Sequence, residues 1–335
     1  MRNVVFLDDL KESEIRPEHI YNEYKKLVVK DIKQYFSDKS LLTDIKCPGC
    51  LSKKEERHFV KNGFTYHVCG ICGSWYASPR PSEEALRNFY KDSSSGKFLR
   101  EVFFKKTSET RAQNVFSYRT QWLIDLVGEY LSKKGIFLDY GTRYPDFLKE
   151  LNESGVFSSS ISLMPQCYEQ EDLLLKNAKI LKNTGEFAGK VDIFAAFEII
   201  ERVFSPKDLF DLAYRSCAKN GLFIITSVTA SGFEYQVLRD ISPNVIVPDR
   251  LNILSLEAMI SGIKNAGFEI IEVSTPGRFD VETVKREYEK DRGISIDGFW
   301  KYIFDNRGKE SLRSLQEYLQ HFQLSSHVRI AAIKK

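Results

Sequence analysis

Two cysteine pairs constrain this chain more than anything else in it: Cys47-Pro-Gly-Cys50 and Cys69-Gly-Ile-Cys72. Two thiolates on each of two tight turns can close one tetrahedral zinc site, and residues 51–68 give a separation within the range of four-cysteine sites. Gly49 and Gly70 supply the backbone freedom such turns need. The spacing predicts a small zinc ribbon with Cys47, Cys50, Cys69 and Cys72 as metal ligands. Disulfides or unrelated buried thiols are the competing account, and the doubled Cys-x-x-Cys pattern argues against it. His58 and His67 stand near the turns, but four thiolates fill the shell, so neither is expected to ligate. Cys167 and Cys217 are isolated and read as small core hydrophobes.

Around the ribbon the chain divides by its rhythm. Ile20, Tyr24, Leu27, Val28, Ile32 and Phe36 recur at three- and four-residue steps, which predicts an amphipathic helix over 15–36 that packs on the ribbon. Phe64-Thr-Tyr-His-Val68 alternates as a strand, and Trp75 and Tyr76 offer a small aromatic core. Ser82 before Glu83 and Glu84 caps a helix, residues 91–96 read as a polar loop, and a long helix is expected over 108–133. From 136 onward short apolar runs alternate with helical stretches: strands at 136–140, 160–164, 191–197, 221–226 and 268–273, helices near 146–153, 206–217 and 255–266. A helical stretch over 296–322 and a last strand, 327–333, complete the pattern. Strands alternating with helices mean an α/β fold with a doubly wound, mainly parallel sheet, and ligands beyond the carboxyl ends of its strands. The expected domains are an N-terminal helical segment (1–40), the zinc ribbon (41–82), a helical connector (83–134) and a Rossmann-like domain with a C-terminal helical insertion (135–335).

Composition removes some classes. With 49 basic and 46 acidic residues the formal charge is +3, without the basic excess of most nucleic-acid binders. No run approaches the ~18 apolar residues of a membrane helix, and the N-terminus lacks a signal-peptide pattern. A reduced, cytoplasmic protein is expected.

Leu138-Asp-Tyr-Gly141, Val191-Asp-Ile-Phe-Ala-Ala-Phe-Glu198-Ile-Ile-Glu201 and Asn220-Gly-Leu-Phe-Ile-Ile-Thr226, together with the ribbon and its Ser78-Pro-Arg-Pro81 exit, carry a resemblance. The chain resembles class I S-adenosylmethionine-dependent methyltransferases with an N-terminal zinc ribbon, of the kind encoded among bacterial surface-saccharide genes. The resemblance implies S-adenosylmethionine as cofactor beside a structural zinc. It also implies a sugar or nucleotide-sugar acceptor, and a ribbon available to a protein partner. It places cofactor contacts at Asp139, Tyr140, Gly141, Thr142, Arg143, Met164, Phe197 and Glu198, with Glu201, Arg202 and His327 as catalytic candidates.

Four departures from that family stand out. Its Gly-x-Gly-x-Gly loop is here Gly141-Thr-Arg143-Tyr-Pro145, which keeps only the first glycine. Its ribose-binding acid is Met164, which accepts no useful hydrogen bond. Glu-His becomes Glu201-Arg202, and a histidine becomes Arg250. Arginine stays protonated, so neither can act as a base, and the added charge suits an anionic ligand. His327 is the remaining candidate base, while Tyr144 and Phe197 could stack on a purine or belong to the core. Two functions stay open: methyl transfer, or a non-catalytic relative serving as a binding or scaffold module with an anionic nucleotide ligand.

Overall fold

A computed structural model describes residues 10–131, 135–141, 145–163, 179–181 and 187–335. Its main sheet contains seven strands, labelled here β1 (Ile136–Tyr140), β2 (Ser159–Leu163), β3 (Lys179–Leu181), β4 (Val191–Phe197), β5 (Cys217–Val228), β6 (Glu269–Ser274) and β7 (His327–Ile333). Their spatial order is β6-β7-β5-β4-β1-β2-β3. β5, β4, β1, β2 and β3 run parallel, and β7 alone is reversed, pairing antiparallel with both β5 and β6. The order reverses between β1 and β4, so their carboxyl ends flank the crevice where such sheets bind ligands.

The alternation of side chains explains the two helical layers. On one face Ile193 and Ala195 join Phe137, Leu222 and Ile224 against Trp122, Leu123 and Leu126 of helix Ser117–Tyr130, and against Phe147, Leu148 and Leu151 of helix Pro145–Glu153. On the other, Phe194 and Ala196 join Leu138, Phe223 and Ile225 against helices Pro206–Ser216 and Leu256–Asn265. Cys217 is fully buried at the start of β5, as expected of a core hydrophobe, while Cys167 lies outside the described residues.

The ribbon forms its own sheet, and a later segment completes it. Glu55–Lys61, Phe64–Cys69 and Trp75–Ala77 are joined at the edge by Asn252–Ile253, which pairs with Tyr76 and Trp75. Phe64, Tyr66, Val68 and Trp75 consequently belong to one core with Tyr235, Leu251 and Ile253. Helix Glu18–Tyr35 leads to Phe36, whose ring meets Phe64 at 5.8 Å.

Several local expectations need correction. Residues 91–96 are not a loop: Glu83–Asp92 continues through Ser93 into helix Ser94–Phe98. The Ser93 hydroxyl accepts the Gly96 N–H at 3.0 Å, and buried Asp31 accepts the Ser95 N–H at 2.6 Å, so the serines cap a helix here. The helix over 108–133 starts earlier, passing from Phe104–Arg111 through a wider turn into Ser117–Tyr130. Helices Phe233–Leu238 and Asp280–Lys290 were not expected, and the stretch 296–322 divides at Arg307-Gly308 into Gly298–Asn306 and Lys309–His321.

Candidate active site

The carboxyl ends of β4 and β5 and the first residues of β7 open onto a cavity of about 250 Å³. Its walls include Tyr21 and Tyr24 of the N-terminal helix, Arg119 and Trp122, and the segment carrying Asp249 and Arg250. β5 and β7 pair at Val228 and His327, which brings the C-terminal strand to the mouth of the parallel strands.

Glu198 lies at the centre. The chain leaves β4 with Glu198 at φ +55°, a left-handed conformation uncommon for a side chain of this kind, and its N–H is held by the Thr226 carbonyl at 2.8 Å. The turn sets its carboxylate against Arg119, whose Nη2 donates to Oε1 at 3.2 Å, and His327, whose Nε2 is 3.8 Å from the same oxygen. The latter distance makes an electrostatic contact, not a hydrogen bond. Burial alone would raise the Glu198 carboxyl; His327 first, then the Arg119 guanidinium, hold it well below the usual carboxylate range. Arg119 lies over the Phe197 ring at 4.2 Å, so Phe197 supports the guanidinium.

Glu201 and Arg202 lie in the turn after β4. Glu201 is fully buried and does not line the cavity; Oε1 accepts the Val228 N–H at 3.1 Å and lies 3.4 Å from Arg250 Nη1. Arg202 does line it, and its guanidinium is bound to Asp249, whose other oxygen accepts the Tyr24 hydroxyl. The positive charge expected from Arg202 and Arg250 is thus offset by Asp249 and Glu201.

Among the cavity-lining residues, Arg119 Nη1, Thr226 Oγ1, Tyr235 Oη and Arg329 Nε are buried polar atoms without a hydrogen-bond partner. Groups of this kind are costly to leave unpaired, and they suit a polar ligand. Glu234, also in the wall, accepts from Ser242 Oγ at 2.5 Å and from the Asn244 amide at 2.9 Å, and burial pushes its carboxyl up to about 7. Arg329 stacks on Trp122 at 3.8 Å, and burial draws it down to about 10.

Of the residues expected to contact a cofactor, Asp139, Tyr140 and Gly141 stand at the carboxyl end of β1, beside Phe197 and Glu198 because β1 pairs with β4. Tyr140 stacks on Phe194 at 5.8 Å. Gly141, at φ +77°, passes so close to Ile199 that a β-carbon would come within 2.7 Å of Ile199 Cδ1. Its need for glycine is therefore met by protein packing as well as by backbone angle. Thr142, Arg143, Tyr144 and Met164 lie outside the described residues.

The four cysteines fit zinc. Their sulfurs all lie within 4.8 Å of one another, with Cys47–Cys72 and Cys50–Cys69 each at 3.5 Å. A tetrahedron with Zn–S bonds of ~2.3 Å needs sulfurs about 3.8 Å apart. His58 and His67 instead contact the two oxygens of Glu55, at 2.7 and 2.6 Å.

Sequence reasoning missed Arg119, Thr226, Glu234 and Tyr235. Arg119 had a legible signal: it shares a helical stripe with Phe116 and Leu123, and a charged residue on a buried stripe calls for a partner. Tyr235 and Glu234 had none, because helix Phe233–Leu238 was not foreseen.

Residues 112–273 match the family model described as a methyltransferase domain, a segment containing β1 to β5 and nearly all of β6. Among solved structures the chain is similar to geranyl diphosphate C-methyltransferase from Streptomyces coelicolor A3(2), with 13% identity over 70% of this chain and 85% of that one, TM-score 0.42. It is similar also to phosphoethanolamine N-methyltransferase 2 from Haemonchus contortus, at 14% identity over 83% and 71%, TM-score 0.44. A third is an S-adenosylmethionine-dependent methyltransferase from Thermotoga maritima, at 17% over 69% and 98%, TM-score 0.39. No curated protein matches the chain significantly by sequence. The mainly parallel sheet and the match over 112–273 together give the chain a Rossmann-like methyltransferase fold. No described helix is long and apolar enough to cross a membrane.

Proposed function

We propose that the protein transfers methyl from S-adenosylmethionine to a sugar or nucleotide-sugar held in the cavity beyond β4 and β5. The observation that carries the reading is the Glu198–His327 contact at the rim of a cavity with unpartnered polar groups. The cofactor, when bound, supplies an electrophilic methyl group, and Asp139, Tyr140, Gly141, Phe197 and Glu198 would hold it, with Thr142, Arg143 and Met164 as further candidates. Arg119 Nη1, Thr226 Oγ1 and Tyr235 Oη would bind and orient a hydroxyl-rich or anionic acceptor. His327 would take the acceptor's proton, and the neighbouring Glu198 carboxylate would offset the charge so formed. Glu201 and Arg202 act by positioning, the first through Val228 and Arg250, the second through Asp249. The reading places the reaction in the cytoplasm, where ribbon thiolates stay reduced. It leaves the exposed Leu51 and Ile71 at the knuckle tips to a protein partner.

Incubation with methyl-labelled S-adenosylmethionine and a panel of nucleotide-sugars tests this reading. Labelled product is expected, with kcat reduced ~10²–10⁴-fold in His327→Ala. A second reading, a non-catalytic module binding an anionic nucleotide, is favoured by the Arg119–Glu198 pair and by Ile199 filling the space beside Gly141. Nucleotide-sugar binding without methyl transfer would select it.

A further inference from the structure

We infer that the zinc ribbon is a positioning element of the cavity: its cysteine cluster fixes the segment that carries Asp249 and Arg250. The inference holds whichever ligand the cavity takes. Three connections support it, each from a ribbon residue to that segment.

The first starts at the cysteine cluster. Ser74 Oγ lies 3.2 Å from Cys72 Sγ and accepts the Ser255 N–H at 2.9 Å. A hydroxyl has one proton to give. With Cys72 as a metal-bound thiolate, that proton goes to sulfur and a lone pair is left for Ser255. Ser255 caps helix Leu256–Asn265 through its own hydroxyl, which accepts the Ala258 N–H at 3.1 Å. One atom thus connects the cluster to the cap of a main-domain helix.

The second connection is backbone pairing. Asn252 and Ile253 extend the ribbon sheet, and the Leu251 carbonyl accepts both the Ala77 N–H at 2.9 Å and Arg80 Nη2 at 3.0 Å. Arg80 is fully buried, and its other bonds go to the Ala77 and Phe204 carbonyls, which explains a charge in a core without a carboxylate partner.

The third reaches the cavity wall itself. Tyr66, buried in the ribbon, donates its hydroxyl to the Arg250 carbonyl at 2.7 Å. Asn252 then carries the constraint onward, its Nδ2 donating to the Ile200 and Val203 carbonyls at 2.9 and 2.8 Å, on either side of Glu201 and Arg202. A ribbon free to move as a separate recognition module would break each of these bonds.

Deuterium uptake of the full chain tests the inference, comparing zinc-loaded protein, chelator-treated protein and zinc-loaded Tyr66→Phe. Zinc removal is expected to raise uptake several-fold at 249–255 as well as at 45–77, with 269–274 unchanged. Tyr66→Phe is expected to retain one zinc per chain and raise uptake at 249–252 alone, a local change that general destabilisation would not produce. Uptake that rises only within 45–77 after zinc removal, or equal uptake of 249–252 in Tyr66→Phe and wild type, would overturn it. Increases in Tyr66→Phe that extend to 269–274 would also overturn it, because the tyrosine would then serve overall stability alone.

Discussion

Replacing Arg202 by methionine separates two accounts of this arginine. If it is a free cation awaiting an anionic ligand, its loss in the empty protein relieves a buried charge and is neutral or stabilising. The structure pairs it instead with Asp249, with both side chains at least nine-tenths buried. Removing one partner of a buried pair typically costs 3–5 kcal/mol, because the other charge is left uncompensated. The Tyr24 hydroxyl, and Tyr90 at 3.5 Å, still donate to Asp249, which puts the expected cost at the lower end, about 3 kcal/mol. At about 2–4 °C for each kcal/mol in a domain of 150–250 residues, the melting temperature should fall by about 6–12 °C. Melting and urea denaturation of Arg202→Met, Asp249→Asn and the double variant, at one protein concentration and zinc loading, measure both the cost and its coupling. The double variant should cost less than the two single costs summed, by about 1–3 kcal/mol. Additive costs, or an Arg202→Met protein as stable as wild type, would refute the pairing.

Glu234 predicts a pH dependence of definite sign. Its folded-state carboxyl titrates near 7 against 4.5 as the reference value, so the folded state holds the extra proton between those limits. That contribution is complete below about 4.5 and is lost as pH rises through 7; it is at most about 3 kcal/mol. Glu198 and Glu12, both lowered, have the opposite sign, but their contributions are complete above the ordinary carboxylate range and add no slope there. Urea denaturation at pH 5, 6, 7 and 8 should therefore show wild type losing stability relative to Glu234→Gln; parallel profiles would count against it. Gly141→Ala should destabilise by about 1–3 kcal/mol through its φ of +77° and its contact with Ile199, with partial recovery in an Ile199→Val background, read by urea denaturation. Cys69→Ser should abolish stoichiometric zinc, measured by atomic emission, and loosen the ribbon; retained zinc would contradict the four-sulfur site.

The sheet was largely legible because β1, β4 and the 221–226 part of β5 are short, nearly uninterrupted apolar runs, the signature of strands covered on both faces. The ribbon was legible from cysteine spacing alone. Helix Asp280–Lys290 was missed although Val281, Val284 and Tyr288 follow its period, because charged residues occupy most of its remaining positions. The pairing of Asn252–Ile253 with the ribbon could not be read, since a two-residue strand leaves no pattern and its partner is about 175 residues earlier. The same long-range pairing decides the site: Arg202 with Asp249, Glu201 with Arg250 and Glu198 with Arg119 are separations of 47, 49 and 79 residues. Sequence identified Glu198, Glu201, Arg202 and Arg250 as residues to watch, but not which charges cancel.

Calorimetric titration of the zinc-loaded protein with S-adenosylhomocysteine asks whether the end of β1 forms a cofactor site. Micromolar binding is expected, falling at least tenfold in Glu198→Gln and unchanged in Arg250→Ala, because Glu198 stands beside the end of β1 whereas Arg250 pairs with Glu201. No heat of binding at millimolar ligand, in protein whose zinc and melting temperature are intact, would contradict it.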